Sequence, residues 1–132
     1  VIVLDTHTLL WWCGGDDQRL SPRAQTILAE ESAHGDILVS SITAWEIAML
    51  VERQRLQLAM DVERWLQLAS QVERLRFVPV DNTLAIKSVR LPGEFHRDPA
   101  DRLIVALARH HSVPVVTADQ KIQQYPHVKW LW

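Results

Sequence analysis

Short apolar runs alternate along the chain with longer stretches in which apolar residues recur every three or four positions. Val1 to Leu4 is a β-branched run ending on Asp5 and predicts a buried strand. Thr6 to Trp12 predicts a short helix, stopped by Gly14 and Gly15. Ser21-Pro22 is a helix start, with Ser as N-cap and Pro in the first turn, and Ala24, Ile27 and Leu28 follow at helical spacing. A second strand over Asp36 to Ser40 runs into a helix carrying Ala44, Ile47, Ala48 and Val51. Another helix follows Asp61, with Val62, Trp65, Leu66 and Ala69 on one face. A third strand is expected at 76–80, where Pro79 marks an edge or a strand end. A helix over 82–91 and a loop from Pro92 to Arg97 come next. Asp98-Pro99 opens a helix with Leu103, Ile104, Leu107 and Ala108 inside. Strands at 113–117 and 128–132 complete the pattern. Strand and helix alternate throughout, so the expected fold is an α/β/α sandwich in three layers, around a mainly parallel sheet of about five strands. Residues 1–132 read as one domain, with no linker and no repeat.

Composition narrows the function classes. The net charge is −2, from 14 basic and 16 acidic residues, which argues against a general nucleic-acid coat protein but not against an RNA enzyme. A single cysteine, Cys13, excludes an internal disulfide and a cysteine-rich zinc site, and is expected to be an inert buried thiol. No apolar run approaches the ~20 residues of a membrane span, and no signal peptide is visible, so a cytoplasmic, membrane-free protein is the expectation. The six tryptophans are many for this length. Trp11, Trp45 and Trp65 are expected on apolar faces as core or interface anchors, and Trp130 and Trp132 crowd the C-terminus.

The candidate chemistry lies in separated carboxylates. Ligand sites of parallel α/β sheets sit at the carboxyl ends of the strands, near the reversal of strand order. Asp5 follows the first strand, Asp119 follows the fourth, Glu46 lies early in the helix after the second, and Asp101 lies in the first turn of the helix before the fourth. Two carboxylates ~4 Å apart repel by about 4 kcal/mol at an effective dielectric near 20. A hard divalent cation such as Mg²⁺ or Mn²⁺ removes that cost and can position and activate water for attack on a phosphodiester. Structural roles compete. An Asp after a strand serves as a turn residue or cap, Thr43-Ala44-Trp45-Glu46 fits a capping box, and Asp98, Pro99 and Asp101 fit N-cap, N1 and N3.

Four strings occur in order: V-L-D-T-H-T-L-L-W at 3–11, S-S-I-T-A-W-E-I-A at 40–48, H-R-D-P-A-D-R-L-I-V-A-L-A at 96–108, and V-V-T-A-D at 115–119. Together they resemble the PIN domain family, specifically the VapC-type toxins of bacterial toxin–antitoxin pairs, over nearly the whole chain. The resemblance implies a Mg²⁺- or Mn²⁺-dependent endoribonuclease with five parallel strands. Its acidic site falls on Asp5, Glu46, Asp101 and Asp119, as metal ligands and catalytic groups, with Asp98 as the helix cap or an auxiliary acid. It further implies a small VapB-like antitoxin over the acidic cleft, and a homodimer.

Several neighbours carry open roles. Thr6 and Thr117 either orient carboxylates or phosphate, or bond local backbone as turn hydroxyls. Arg97, Arg102 and His96 beside the acidic helix start either hold RNA phosphates or pair with neighbouring acids. His7 reads as a surface or supporting histidine rather than a general base. Arg53, Arg55, Arg64, Arg74 and Arg76 form a loose basic run that decorates a solvated face or a backbone groove. Rival enzymes lack their signatures. A haloacid-dehalogenase-like phosphatase needs a second Asp where His7 stands, and no P-loop or GxGxxG string is present. An RNase H-like nuclease would begin with antiparallel hairpins. The remaining rival is a PIN-like module that binds RNA or protein without cutting.

Overall fold

A computed structural model describes residues 1–132. Five strands, β1 (Ile2–Leu4), β2 (Ile37–Ser40), β3 (Leu75–Val78), β4 (Val115–Val116) and β5 (Trp130–Leu131), form one sheet in the order β3-β2-β1-β4-β5. Every pairing is parallel, with Val3 opposite both Leu38 and Val115, Leu38 opposite Arg76, and Val115 opposite Trp130. The helices are α1 (Thr6–Cys13), α2 (Pro22–His34), α3 (Ile42–Glu52), α4 (Val62–Ser70), α5 (Asn82–Val89), α6 (Pro99–His111) and α7 (Gln120–Gln123), with a 3₁₀ turn over Asp17–Arg19. None is long and apolar enough to cross a membrane.

Alternation along the strands builds two cores. Ile2, Leu4, Ile37, Val39 and Val116 face one side, where they meet Leu9, Leu28, Ile47 and Trp65 from α1 to α4. Val3, Leu38 and Val115 face the other, against Leu84, Ile104, Val105, Leu107 and Ile122. Both faces of the sheet are therefore covered, which is why its strands read as continuous apolar runs.

Element ends depart from the expectations for local reasons. β3 stops at Val78, because Pro79 has no N–H for the ladder. It also starts one residue earlier than expected, and it is an edge strand. β4 and β5 hold only two residues each, shorter than expected at 113–117 and 128–132. α6 turns sharply into β4 through Ser112, which adopts the left-handed conformation at φ 54° and donates its N–H to Ala108 and Arg109 carbonyls. α7 and the 3₁₀ turn are too short to leave a periodic signal. Trp65 is buried as expected, but Trp45 is 55% exposed. The inward face of α3 is taken by Thr43 and Ile47, which leaves Trp45 turned to solvent. Trp11 is half-buried and packs its ring 5.9 Å from that of Trp132. Burial pushes the Cys13 thiol up to about 11, which keeps it protonated and unreactive near neutral pH.

β2 and β3 lie on one side of β1, and β4 and β5 on the other. The chain thus reverses its direction of travel across the sheet between β1 and β4. Their carboxyl ends, beyond Leu4 and Val116, open the crevice where such sheets bind ligands.

Candidate active site

That crevice is a cleft of about 510 Å³ lined by Asp5, Glu46, Asp98, Asp101 and Asp119, together with Thr6, His7, Trp11, Arg19, Ala118 and Lys121. Four helices deliver the acids. Asp5 is the N-cap of α1, and its Oδ1 accepts the Thr8 N–H at 2.9 Å. Its Oδ2 accepts from the Thr117 hydroxyl. Thr117 is fully buried, and its Oγ1 also accepts the Asp119 N–H at 2.9 Å, so one hydroxyl ties the acid after β1 to the acid after β4. Asp119 in turn caps α7 through Lys121 N–H at 2.8 Å. Thr8 anchors α1 by donating its hydroxyl to the Val116 carbonyl at 2.9 Å.

Glu46 enters from α3. That helix begins at Ile42 behind Ser41, which makes no side-chain cap. Thr43 therefore falls inside the first turn and the capping box does not form. Instead Thr6 donates its hydroxyl to Glu46 Oε1 and lies 3.0 Å from the Thr43 hydroxyl. Asp98 and Asp101 divide the start of α6. Asp98 is the exposed N-cap, accepting Ala100 N–H at 2.9 Å. Asp101 is more enclosed, its side chain only 15% exposed, and His96 Nε2 stands 3.0 Å from its Oδ2. That approach lacks hydrogen-bond alignment.

The electrostatics carry the cost expected of converging acids. Burial raises the Asp5 carboxyl, against the hydrogen bonds from Thr117 and Thr8. Burial also raises Glu46, with repulsion from Asp98 and Asp5 adding to it and Thr6 opposing. Asp101 is pushed up to about 7, by burial first and then by Asp98, Asp119, Glu46 and Asp5. Arg19 and Lys121 are the only arginine and lysine in the lining. Arg19 is shared between Asp16, at 3.1 Å, and the Trp11 ring, 5.9 Å from its guanidinium carbon.

An all-oxygen donor set with unbalanced negative charge suits a hard divalent cation. No three acids stand placed to hold one ion by themselves. An ion at these acids would therefore complete its shell with water, as Mg²⁺ does when it takes one or two carboxylates directly.

Some residues lie elsewhere than expected. Arg102 does not line the cleft. Its guanidinium donates to the carbonyls of Ser88, Phe95, His96 and Val89 at 2.8 to 3.3 Å, clamping the end of α5 and the following loop. Arg97 is exposed beside Asp98, outside the lining. The sequence does not mark Arg19 or Lys121, and it marks Thr43 only as a capping candidate. Arg19 sits in an aperiodic G-G-D-D-Q-R-L stretch, and Lys121 follows Asp119 on a four-residue helix, so neither carried a pattern. Thr43 did carry a signal, three residues before Glu46 and hence on its face of α3.

The model of the PIN domain family matches residues 2–128. The chain belongs to the PIN domain family. Ribonuclease VapC22 of Mycobacterium tuberculosis is 38% identical to this PIN domain over 127 residues, covering 96% of the chain and 92% of the relative. Among solved structures, VapBC2 from Rickettsia felis, bound to a DNA fragment from its promoter, superposes with a TM-score of 0.71 at 16% identity, covering 98% of this chain and 96% of that one. VapC20 of Mycobacterium tuberculosis, described as a toxin cleaving the sarcin-ricin loop, gives 0.62 at 16% identity, with 98% and 99% covered. These two share the fold of this PIN domain.

Proposed function

We propose that this PIN domain is an endoribonuclease of the VapC type, the toxin of a toxin–antitoxin pair. The observation that carries the reading is the meeting of Asp5, Glu46, Asp101 and Asp119 in one cleft at the crossing between β1 and β4. The relative at 38% identity bears the name of a ribonuclease. In this reading residues 1–132 form one catalytic domain acting in the cytoplasm, with a VapB-like antitoxin over the cleft and a second copy of the chain as partner.

Asp5, Asp101, Asp119 and Glu46 would hold Mg²⁺ or Mn²⁺. When bound, the metal supplies activation of water at neutral pH and stabilisation of the departing oxygen. The protein's own part is positioning. Thr117 and Thr8 fix both oxygens of Asp5. Thr6 fixes Glu46, and His96 packs beside Asp101 at 3.0 Å. Arg19 and Lys121, with Arg97 outside the lining, are the cations able to receive phosphate oxygens next to the acids. Asp98 keeps the start of α6 in place.

Sequencing of RNA 5′ ends in cells expressing the protein, with Asp5→Asn as control, tests the reading. New ends at defined sites that vanish in the variant are expected. Identical ends with both proteins, or none with either, would leave a module that binds without cutting.

A further inference from the structure

On the side of α6 away from the acids, α5 and α6 enclose a groove of about 460 Å³ whose lining includes Lys87, Arg90, Arg109 and His110. Lys87 Nζ donates to His110 Nδ1 at 2.7 Å, which ties the two helices together across it. A second hollow of about 290 Å³ shares Arg109 and continues to His127 and Lys129. Arg109 joins the two by donating to the His127 carbonyl. No acidic side chain lines either hollow. The sequence explains this, because residues 82–93, 102–118 and 120–132 contain no Asp or Glu. In a chain of net charge −2, that is a strong local segregation of charge. Nearby His111 is held below its ordinary pKa, by burial first and then by His110, Arg76 and Lys87.

We infer that the α5–α6 groove is a binding track for the sugar–phosphate backbone of RNA flanking the bond to be cut. The inference rests on the ribonuclease reading and adds a site to it. The occupant is argued from charge, since a row of cations without acids complements a polyanion, and phosphate contacts set register without reading sequence. It is argued also from continuity. α6 carries Asp101 in its first turn and Arg109 eight residues later, about 12 Å along the axis at ~1.5 Å per residue. That separation matches three to four nucleotides of a helical strand at ~3.4 Å each. Arg90 stands at the acidic end of this path, because the preceding Ser88 and Val89 are clamped to Arg102 in the first turn of α6.

The test measures anisotropy of a fluorescein-labelled 20-nucleotide oligo(U), titrated with the protein carrying Asp5→Asn, between 50 and 200 mM KCl. Lys87 and Arg90 are exposed, so K87Q/R90Q should fold normally. With ~0.7 per phosphate contact on a single strand, this pair should flatten the slope of log affinity against log salt by about 1.4. It should weaken binding at least about five-fold at 100 mM salt. Lys129→Gln, at the far end, should flatten the slope by about 0.7. R23Q/R64Q removes the same charge from α2 and α4 and should leave the slope unchanged. Unchanged slopes in both track variants, or an equal loss in R23Q/R64Q, overturn the inference. Conversion of a dimer to a monomer by K87Q/R90Q in sedimentation velocity also overturns it, since the groove would then seat a second copy. The two readings fail separately: RNA cleavage with no effect of the track variants removes the track alone, and track effects without cleavage by wild type remove the nuclease alone.

Discussion

Replacing Asp101 by asparagine should stabilise the metal-free protein while removing its activity. Asp101 is pushed from 3.8 up to about 7 by burial and by four surrounding carboxylates. At about 1.4 kcal/mol per pH unit, that distance sets a ceiling of about 4 kcal/mol on the strain of keeping Asp101 ionised. Solvent at the mouth of the cleft and relaxation of the neighbours reduce the net effect to about 1–2 kcal/mol. The folded-state pKa lies above the unfolded one, so the folded protein holds the extra proton. The stability from that proton is full below pH about 3.8 and is lost as pH rises through about 7. Asparagine keeps the shape and drops the charge, so its advantage should be about a third of its full size at pH 5 and greatest at pH 8. An unfolding entropy of about 2.1 cal/mol/K per residue converts 1–2 kcal/mol into roughly 4–7 °C for a chain of this size. Thermal unfolding in EDTA at pH 5, 6, 7 and 8 measures this directly. Asp5 and Glu46 are raised as well, so the variant should retain a shallower decline with pH. A variant no more stable than wild type at pH 8, or a difference independent of pH, would refute the reasoning that Asp101 bears the repulsion of the cleft.

Asp5→Asn should leave the fold intact, because asparagine still accepts the Thr8 N–H, yet it should abolish RNA cleavage; circular dichroism with a gel assay checks both. Asp98→Ala should cost about 1 kcal/mol as a lost cap while much of the activity survives, seen in denaturant midpoints and initial rates. Thr117→Val should lower kcat with little change in KM, since it frees Asp5 and the Asp119 N–H without touching the cations, and Thr117→Ser should restore much of the rate. Ser112→Gly should raise the melting temperature by a few degrees, because glycine relieves about 1 kcal/mol of left-handed strain at the end of α6.

The sheet was legible because both of its faces are covered, which makes β1 and β4 wholly apolar and gives α4 and α6 a clear apolar face. The helix starts were legible for a chemical reason. Ser21, Asp61 and Asp98 each accept a first-turn N–H. The same chemistry blurred the site. Asp5, Asp98 and Asp119 are all N-caps, so capping and lining the cleft are compatible roles that spacing could not separate. Glu46 differs from a capping residue because α3 begins at Ile42, one residue before Thr43. Arg102 stands beside the acids in sequence, but a long side chain can turn to any of several carbonyls, and tertiary packing chose those after α5. Arg19 reaches the cleft from a loop whose path no periodicity describes.

The central claim is that these separated acids form one cation site that cuts RNA. Calorimetric titration of Mn²⁺ into wild type and into Asp101→Asn, paired with cleavage of total RNA by the same samples, tests it most directly. One saturable binding event is expected in wild type, lost or weakened at least about ten-fold in the variant, with cleavage following occupancy and stopping in EDTA. Equal Mn²⁺ binding by both proteins, or cleavage undiminished in EDTA, would contradict it.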